Sequence, residues 1–261
     1  MKFSIITPTY KRADKLTRAV ESVLNQTYTN WEMIIVNDSP DDVSYSSFEN
    51  SISDPRIIYL NNEQNSGVNY SRNRALDNIS KDSDWVIFLD DDDYFATDAL
   101  TTLHDLIQNH LNNKWFVTNR AQSNGSSLTH FPASDTSYPY AWDYLITKKC
   151  KGDATHCIST SLIKNIRFSK HIKQAEEWLF FYQIGLREQM FYHNHNSTLT
   201  DGYNESSGLN FRKRTAPEQL KTLFAIKLEG FRHNLIWRPT FLIYLSLRFV
   251  RIGVKSLSFK P

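Results

Sequence analysis

Four consecutive aspartates, Asp90-Asp91-Asp92-Asp93, are the densest concentration of chemistry in the chain. Adjacent carboxylates repel one another, so such a run calls for a compensating cation. Oxygen donors suit Mg²⁺ or Mn²⁺, which bridge one or two carboxylates to a diphosphate. A solvated acidic turn or helix cap is the competing reading. Asp38 is a second acid directly behind an apolar run, able to accept hydrogen bonds from a base imide or a ribose hydroxyl, or to form an Asx-turn. Asn65-Ser66-Gly67 permits a tight turn ahead of Arg72, whose guanidinium suits an anionic ligand. Glu176 and Glu177 offer a general base at the start of an apolar segment, or two acids favoured by a helix N-terminus. His193 and His195, close to Ser197, could ligate a metal or phosphate oxygens, or be ordinary loop histidines. His156 has no assigned role.

These residues need a frame. Phe3–Thr7, Glu32–Asn37, Arg56–Leu60 and Asp84–Leu89 are short apolar runs that read as buried strands. Between them, Lys15–Gln26 and Asn69–Ile79 read as helices, and Ala99–Leu111 follows as another. This alternation predicts an α/β fold with a mainly parallel sheet flanked by helices. Ligands in such sheets bind at the carboxyl ends of strands. The polar clusters after Thr7, Val36, Leu60 and Leu89 would then share one edge. Further on, Trp115–Asn119 and Cys157–Ile163 read as strands, Arg120–Tyr140 as a long loop, and Ala175–Gly185 as a helix.

In this order the residues resemble the family 2 glycosyltransferases of the GT-A fold. The matching segments are Ile5-Ile6-Thr7-Pro8-Thr9-Tyr10, Ser22–Thr27, Trp31–Ser39, Asn65-Ser66-Gly67 with Ser71-Arg72-Asn73, and Phe88–Asp93. The resemblance covers roughly residues 1–110. It implies that Thr7, Pro8 and Tyr10 line a nucleotide pocket, that Asp38 meets the donor base with Arg72 beside it, and that Asp90 and Asp91 join the nucleotide-sugar contacts. Asp92 would ligate a divalent cation, Mn²⁺ or Mg²⁺, with His195 as a further candidate ligand. Ala175-Glu176-Glu177-Trp178 is similar to the family's acidic acceptor-side motif, with Glu177 in place of the usual Asp as base and Glu176 competing. Asn37, where many relatives carry an acid, and Ser39-Pro40 also depart from the pattern.

The implied activity is metal-dependent, inverting sugar transfer from a nucleoside-diphosphate donor, typically a UDP-sugar, to a glycan or lipid-linked glycan acceptor. A nucleotidyltransferase would need a Gly- and Lys-rich loop after the first strand, which Thr7–Tyr10 is not. The nucleotidyltransferase stays as one alternative, and a catalytically silent nucleotide-sugar-binding subunit is the other.

The formal charge of the 261 residues is only +2, but it is unevenly placed. From Leu220 onward there are eight Lys/Arg and one acid, leaving 22 basic and 27 acidic residues before it. This separates a catalytic domain at 1–215 (donor half 1–110, acceptor half 111–215) from a basic amphipathic helical tail at 216–261. On a helical wheel Arg248, Arg251 and Lys255 share one arc, beside Phe241, Leu242, Leu245, Phe249 and Ile252. Such a helix suits an anionic membrane surface; packing on the catalytic domain with a solvated basic edge, or binding a partner protein, are the other readings. Neither a signal peptide nor a spanning segment is expected, and Cys150 and Cys157 read as thiols of a reducing compartment. The expected location is cytoplasmic, peripheral on the inner face of the membrane. No nucleic-acid-binding module is recognisable.

Overall fold

The computed structural model describes residues 1–172, 176–201 and 215–257, the last stretch by backbone alone at 216 and 254–257. Lys255 of the expected basic arc and Ala175 of the expected helix start therefore lie outside the described side chains.

The first half alternates as its apolar runs require. Strand β1 (Phe3–Thr9) leads to α1 (Ala13–Leu24), β2 (Trp31–Asn37), α2 (Ser44–Ser51), β3 (Ile57–Asn61), α3 (Val68–Leu76), β4 (Trp85–Phe88), β5 (Asp93–Phe95) and α4 (Ala99–Asn109). Every residue of β1 and β2 is buried, because helices cover both faces of the sheet. On α1, Leu16, Ala19, Val20 and Val23 recur at helical spacing and form the buried side.

The second half comprises β6 (Trp115–Gln122), the short strands β7 (Thr129–His130) and β8 (Thr136–Tyr138), a π-helical turn at Tyr140–Ile146, β9 (Lys151–Gly152), β10 (Ala154–Ser159), α5 (Thr160–Ile163), α6 (Trp178–Gly185) and β11 (Met190–Thr200). Helices α7 (Ala216–Arg232) and α8 (Pro239–Leu257) follow, joined through a 3₁₀ turn at Leu235–Trp237.

One sheet runs in the order β3-β2-β1-β4-β10-β6-β11-β5, with β8 also paired to β11. Strands β3, β2, β1 and β4 are mutually parallel, as expected. The second half departs from the parallel pattern. Strand β10 is antiparallel to both β4 and β6, while β5 and β8 run antiparallel to β11. Antiparallel neighbours need no crossover helix, so this part is built from irregular excursions rather than strand–helix units.

Three segments differ from their sequence reading. Within Arg120–Tyr140, the stretch read as a loop, β6 continues to Gln122 and β7 and β8 form. The strand expected at Cys157–Ile163 ends at Ser159, and Thr160–Ile163 is a helical turn. The segment around His193–Ser197 lies inside the eleven-residue β11. Its Ser197, Thr198 and Thr200 are buried, and Thr155 Oγ1 donates to Thr198 Oγ1 at 2.7 Å. Cross-strand hydroxyl pairing thus supports a strand that no alternation of hydropathy announces.

Candidate active site

The carboxyl ends of β1, β2 and β4 and the start of β3's outgoing loop meet at one edge. There Thr9 Oγ1 donates to Asp91 at 2.8 Å, and Asn62 Nδ2 donates to Asp38 at 2.7 Å. Asp38 is 4% exposed and takes two further donors, the backbone N–H groups of Ser66 and Gly67, each at 2.8 Å. Gly67 sits at φ +89°, a conformation that L side chains rarely adopt. The residue expected to meet a donor base therefore also fixes the turn that launches α3. Thr7 is wholly buried and its hydroxyl has no hydrogen-bond partner among the described residues, whereas Tyr10 is 43% exposed at the rim. Pro8 is buried in β1.

Helix α3 carries Arg72 into the edge, where its side chain is nearly covered. One guanidinium nitrogen donates to Asp90 at 2.9 Å and another to Glu177 at 2.5 Å. Arg12, in the loop after β1, bonds Asp91 at 3.1 Å and Asp92 at 2.6 Å. Arg120, on β6, bonds Asp93 at 2.7 Å and Asp153 at 3.1 Å. Three arginines thus hold the four aspartates of the run together with Asp153 and Glu177. Sequence reasoning identified only Arg72. Arg12 had its position at the sheet edge as a signal, while Arg120 lay in a segment read as a loop.

The compensation is incomplete, with six carboxylates against three guanidinium groups. Burial, reinforced by the neighbouring aspartates, pushes Asp91 and Asp93 up to about 7 despite their arginine partners. Partial enclosure would raise Asp90 too, but Arg72 and then Arg120 hold it below the usual carboxylate range. Among the described residues, carboxylate oxygens of Asp90, Asp92 and Asp93 lie within 4.8 Å of one another. An all-oxygen, under-compensated donor set of this kind fits a hard divalent cation. His195 is engaged elsewhere, with Nδ1 3.0 Å from Ser197 Oγ and Nε2 3.3 Å from Asp98. His193 pairs with Asp135.

A cavity of about 290 Å³ opens beside the cluster, lined by Asp90, Arg120, Asp153 and Glu177 and by aromatic side chains including Tyr140, Tyr144 and Trp178. Glu177 stands at the N-terminal end of α6, two residues later than the expected helix start, and its side chain is 45% exposed. Glu176 is in a different situation. Its carboxylate is 6% exposed, accepts hydrogen bonds from Arg248 of α8 and the Trp178 indole, and its backbone has φ +148°. Of the two acids, Glu177 is the one paired with the Arg72–Asp90 group and accessible to a ligand. His156 borders the same cavity, its Nδ1 accepting from Trp115 Nε1 at 3.1 Å. Burial lowers it to about 3, so it is neutral and belongs to the aromatic wall.

Comparison with known proteins bears on the family and the fold. WcaA of Escherichia coli strain K12, a glycosyl transferase named for colanic acid biosynthesis, is 26% identical over 272 aligned residues, covering 94% of this chain and 93% of its own. WfaP of Escherichia coli, named as a UDP-Glc:α-D-GlcNAc-diphosphoundecaprenol β-1,3-glucosyltransferase, is 41% identical over 98 residues, which is 38% of each chain. Among solved structures, Staphylococcus aureus TarS in complex with UDP-GlcNAc superposes with a TM-score of 0.66 at 21% identity, over 88% of this chain and 66% of that one. That likeness establishes the GT-A fold. The model of glycosyl transferase family 2 matches residues 4–172. With its aspartate cluster at the end of β4 and an acidic residue facing it from α6, the chain belongs to glycosyl transferase family 2.

Proposed function

We propose that the protein is a metal-dependent, inverting glycosyltransferase that moves a sugar from a UDP-sugar to a hydroxyl of a lipid-linked glycan. The observation that carries this reading is that Glu177 lines the same cavity as Asp90 and Asp93, two members of the Asp90–Asp92–Asp93 oxygen cluster. Asp90, Asp92 and Asp93 would hold the cation. When bound, Mn²⁺ or Mg²⁺ supplies charge stabilisation to the departing nucleoside diphosphate.

The chain's own groups do the rest. Glu177 takes the proton of the acceptor hydroxyl at its carboxylate. Arg72, bridging Glu177 and Asp90, fixes the base against the donor side of the cavity. Tyr140, Tyr144 and Trp178 offer flat apolar faces to a sugar ring, with Asp153 and Arg120 as polar contacts. Asp38 and Tyr10 would hold the nucleotide base, with Asp38 acting partly through the Ser66–Gly67 turn. Residues 1–215 would form the catalytic domain. The lipid-linked acceptor, suggested by the activity for which WfaP is named, would bring the enzyme to the cytoplasmic face of the membrane.

A panel of nucleotide sugars, titrated with and without Mn²⁺, tests the reading. A UDP-sugar should bind more tightly with the ion, and Asp92→Ala should abolish that gain. Glu177→Gln should lower kcat by about 10²–10⁴ while leaving donor affinity intact. Metal-independent binding, or full activity in Glu177→Gln, would refute it.

A further inference from the structure

The C-terminal helices differ from the amphipathic pattern expected of them. On α8, Phe241, Tyr244 and Ile252 are buried against the body, where Tyr182 OH lies 2.8 Å from Thr240 Oγ1. Arg248, expected on the basic outer arc, is instead bound to Glu176. What remains outside is a different surface. On α7, Leu220, Phe224, Leu228 and Phe231 are all exposed, Phe224 to 63%, and fall within about 80° of one another at 100° per residue. Trp237, in the connecting turn, is 78% exposed. On α8, Leu242, Ile243, Phe249 and Val250 are exposed as well. A monomer rarely shows so many large apolar side chains in one region without a purpose.

The charges around them all have one sign. Lys221, Lys227, Arg232, Arg238 and Arg251 are exposed. Of the two acids among the described residues of α7 and α8, Glu229 is buried and paired with Arg232 and His233, and Glu218 is spent in the capping box with Thr215. No helix among the described residues is long and apolar enough to cross a membrane.

From this combination we propose that the outer face of α7, the Trp237 turn and α8 is an interfacial docking surface for an anionic lipid bilayer. Apolar side chains would enter the headgroup boundary, Trp237 would sit in the zone that indoles favour, and the flanking cations would meet lipid phosphates. A second copy of the chain is a poorer occupant, because self-association would press five cations against the same five. A bilayer is chosen over an acidic protein because of the proposed lipid-linked acceptor, and the inference rests on that reading to this extent.

Vesicle co-sedimentation of the full chain tests it without catalysis. Vesicles of phosphatidylcholine alone should bind weakly, and vesicles of equal parts phosphatidylcholine and phosphatidylglycerol strongly. The Phe224→Ser/Phe231→Ser/Trp237→Ser variant should lose roughly tenfold or more in affinity, about 1.4 kcal/mol per factor of ten. Lys221→Glu/Lys227→Glu should lose binding to the anionic vesicles in a salt-dependent way. Both variants should keep the wild-type melting temperature and UDP affinity. Wild-type protein that ignores anionic vesicles, or variants that bind like wild type, would overturn the inference. So would a wild-type dimer that the triple variant converts to a monomer. Vesicle binding without sugar transfer from any donor would instead refute the catalytic reading and leave the surface standing.

Discussion

Asp38 separates two roles that the family resemblance folds into one. If it served only to touch a nucleotide base, replacing it by Asn would leave the ligand-free protein unchanged. In the structure it accepts from Asn62 Nδ2 and Ser66 N on one oxygen and from Gly67 N on the other. An Asn side chain keeps one acceptor oxygen. Its best orientation retains the Asn62 and Ser66 bonds and turns an NH₂ group against the Gly67 N–H. Leaving that donor unmatched costs about 1–3 kcal/mol, and the two surviving bonds lose their charge assistance. Relief of the burial penalty on a charge offsets part of this. The net expectation is about 2 kcal/mol, a fall in Tm of roughly 4–8 °C for a domain of this size. Differential scanning fluorimetry without ligand reads it directly, and UDP titration by calorimetry reads the accompanying loss of affinity. An unchanged ligand-free Tm in Asp38→Asn would refute the turn-organising role and leave a base contact alone.

Three further outcomes follow from other parts of the molecule. Glu32 is buried on β2 and accepts from Ser4 and Ser80. Burial opposes its ionisation, but the Ser4 and Ser80 bonds prevail and hold it below the usual range. Its contribution is therefore complete above an unfolded value of about 4.3 and lost as pH falls below it; chemical unfolding should show Glu32→Gln less stable at neutral pH, with a shallower acid limb. Arg248→Ala takes the guanidinium away from the buried Glu176 carboxylate, which keeps its Trp178 indole bond, and should cost about 3 kcal/mol. Adding Glu176→Gln should recover much of that, as a double-mutant cycle in thermal melts would show. Gly152→Ala places a Cβ 1.8 Å from the Leu128 carbonyl oxygen at φ +91°, so β7–β9 pairing and the melting temperature should both suffer, visible by hydrogen exchange and calorimetry.

The donor side of the protein was legible because its signals are local. Val36-Asn37-Asp38 and Leu89-Asp90 place acids directly behind apolar strands, and periodicity located Leu16–Val23 as a buried helix face. What escaped was long-range. Arg12 and Arg120 meet the aspartates only once β1, β4, β10 and β6 have assembled into one sheet, and no spacing in the sequence encodes that meeting. β11 was hidden because its hydroxyls and amides are satisfied by neighbouring strands rather than by an apolar core. The tail was readable as amphipathic, but which of its faces turned inward depended on partners such as Glu176, which lies on another element.

The Arg248–Glu176 link also has a temporal meaning. Its two ends are 72 residues apart, so at about 5–20 residues per second the arginine is synthesised roughly 4–14 s after the glutamate it neutralises. During that interval the acid beside Trp178 has no cationic partner from α8, and the acceptor wall next to Glu177 is unfinished. Glu176 thus gains this partner only once α8 has been made, and that helix also carries the exposed apolar and basic face. Removing α8 to probe that face would take Arg248 from Glu176 and disturb the cavity wall beside Glu177, so surface substitutions rather than deletion are the clean way to separate adhesion from chemistry.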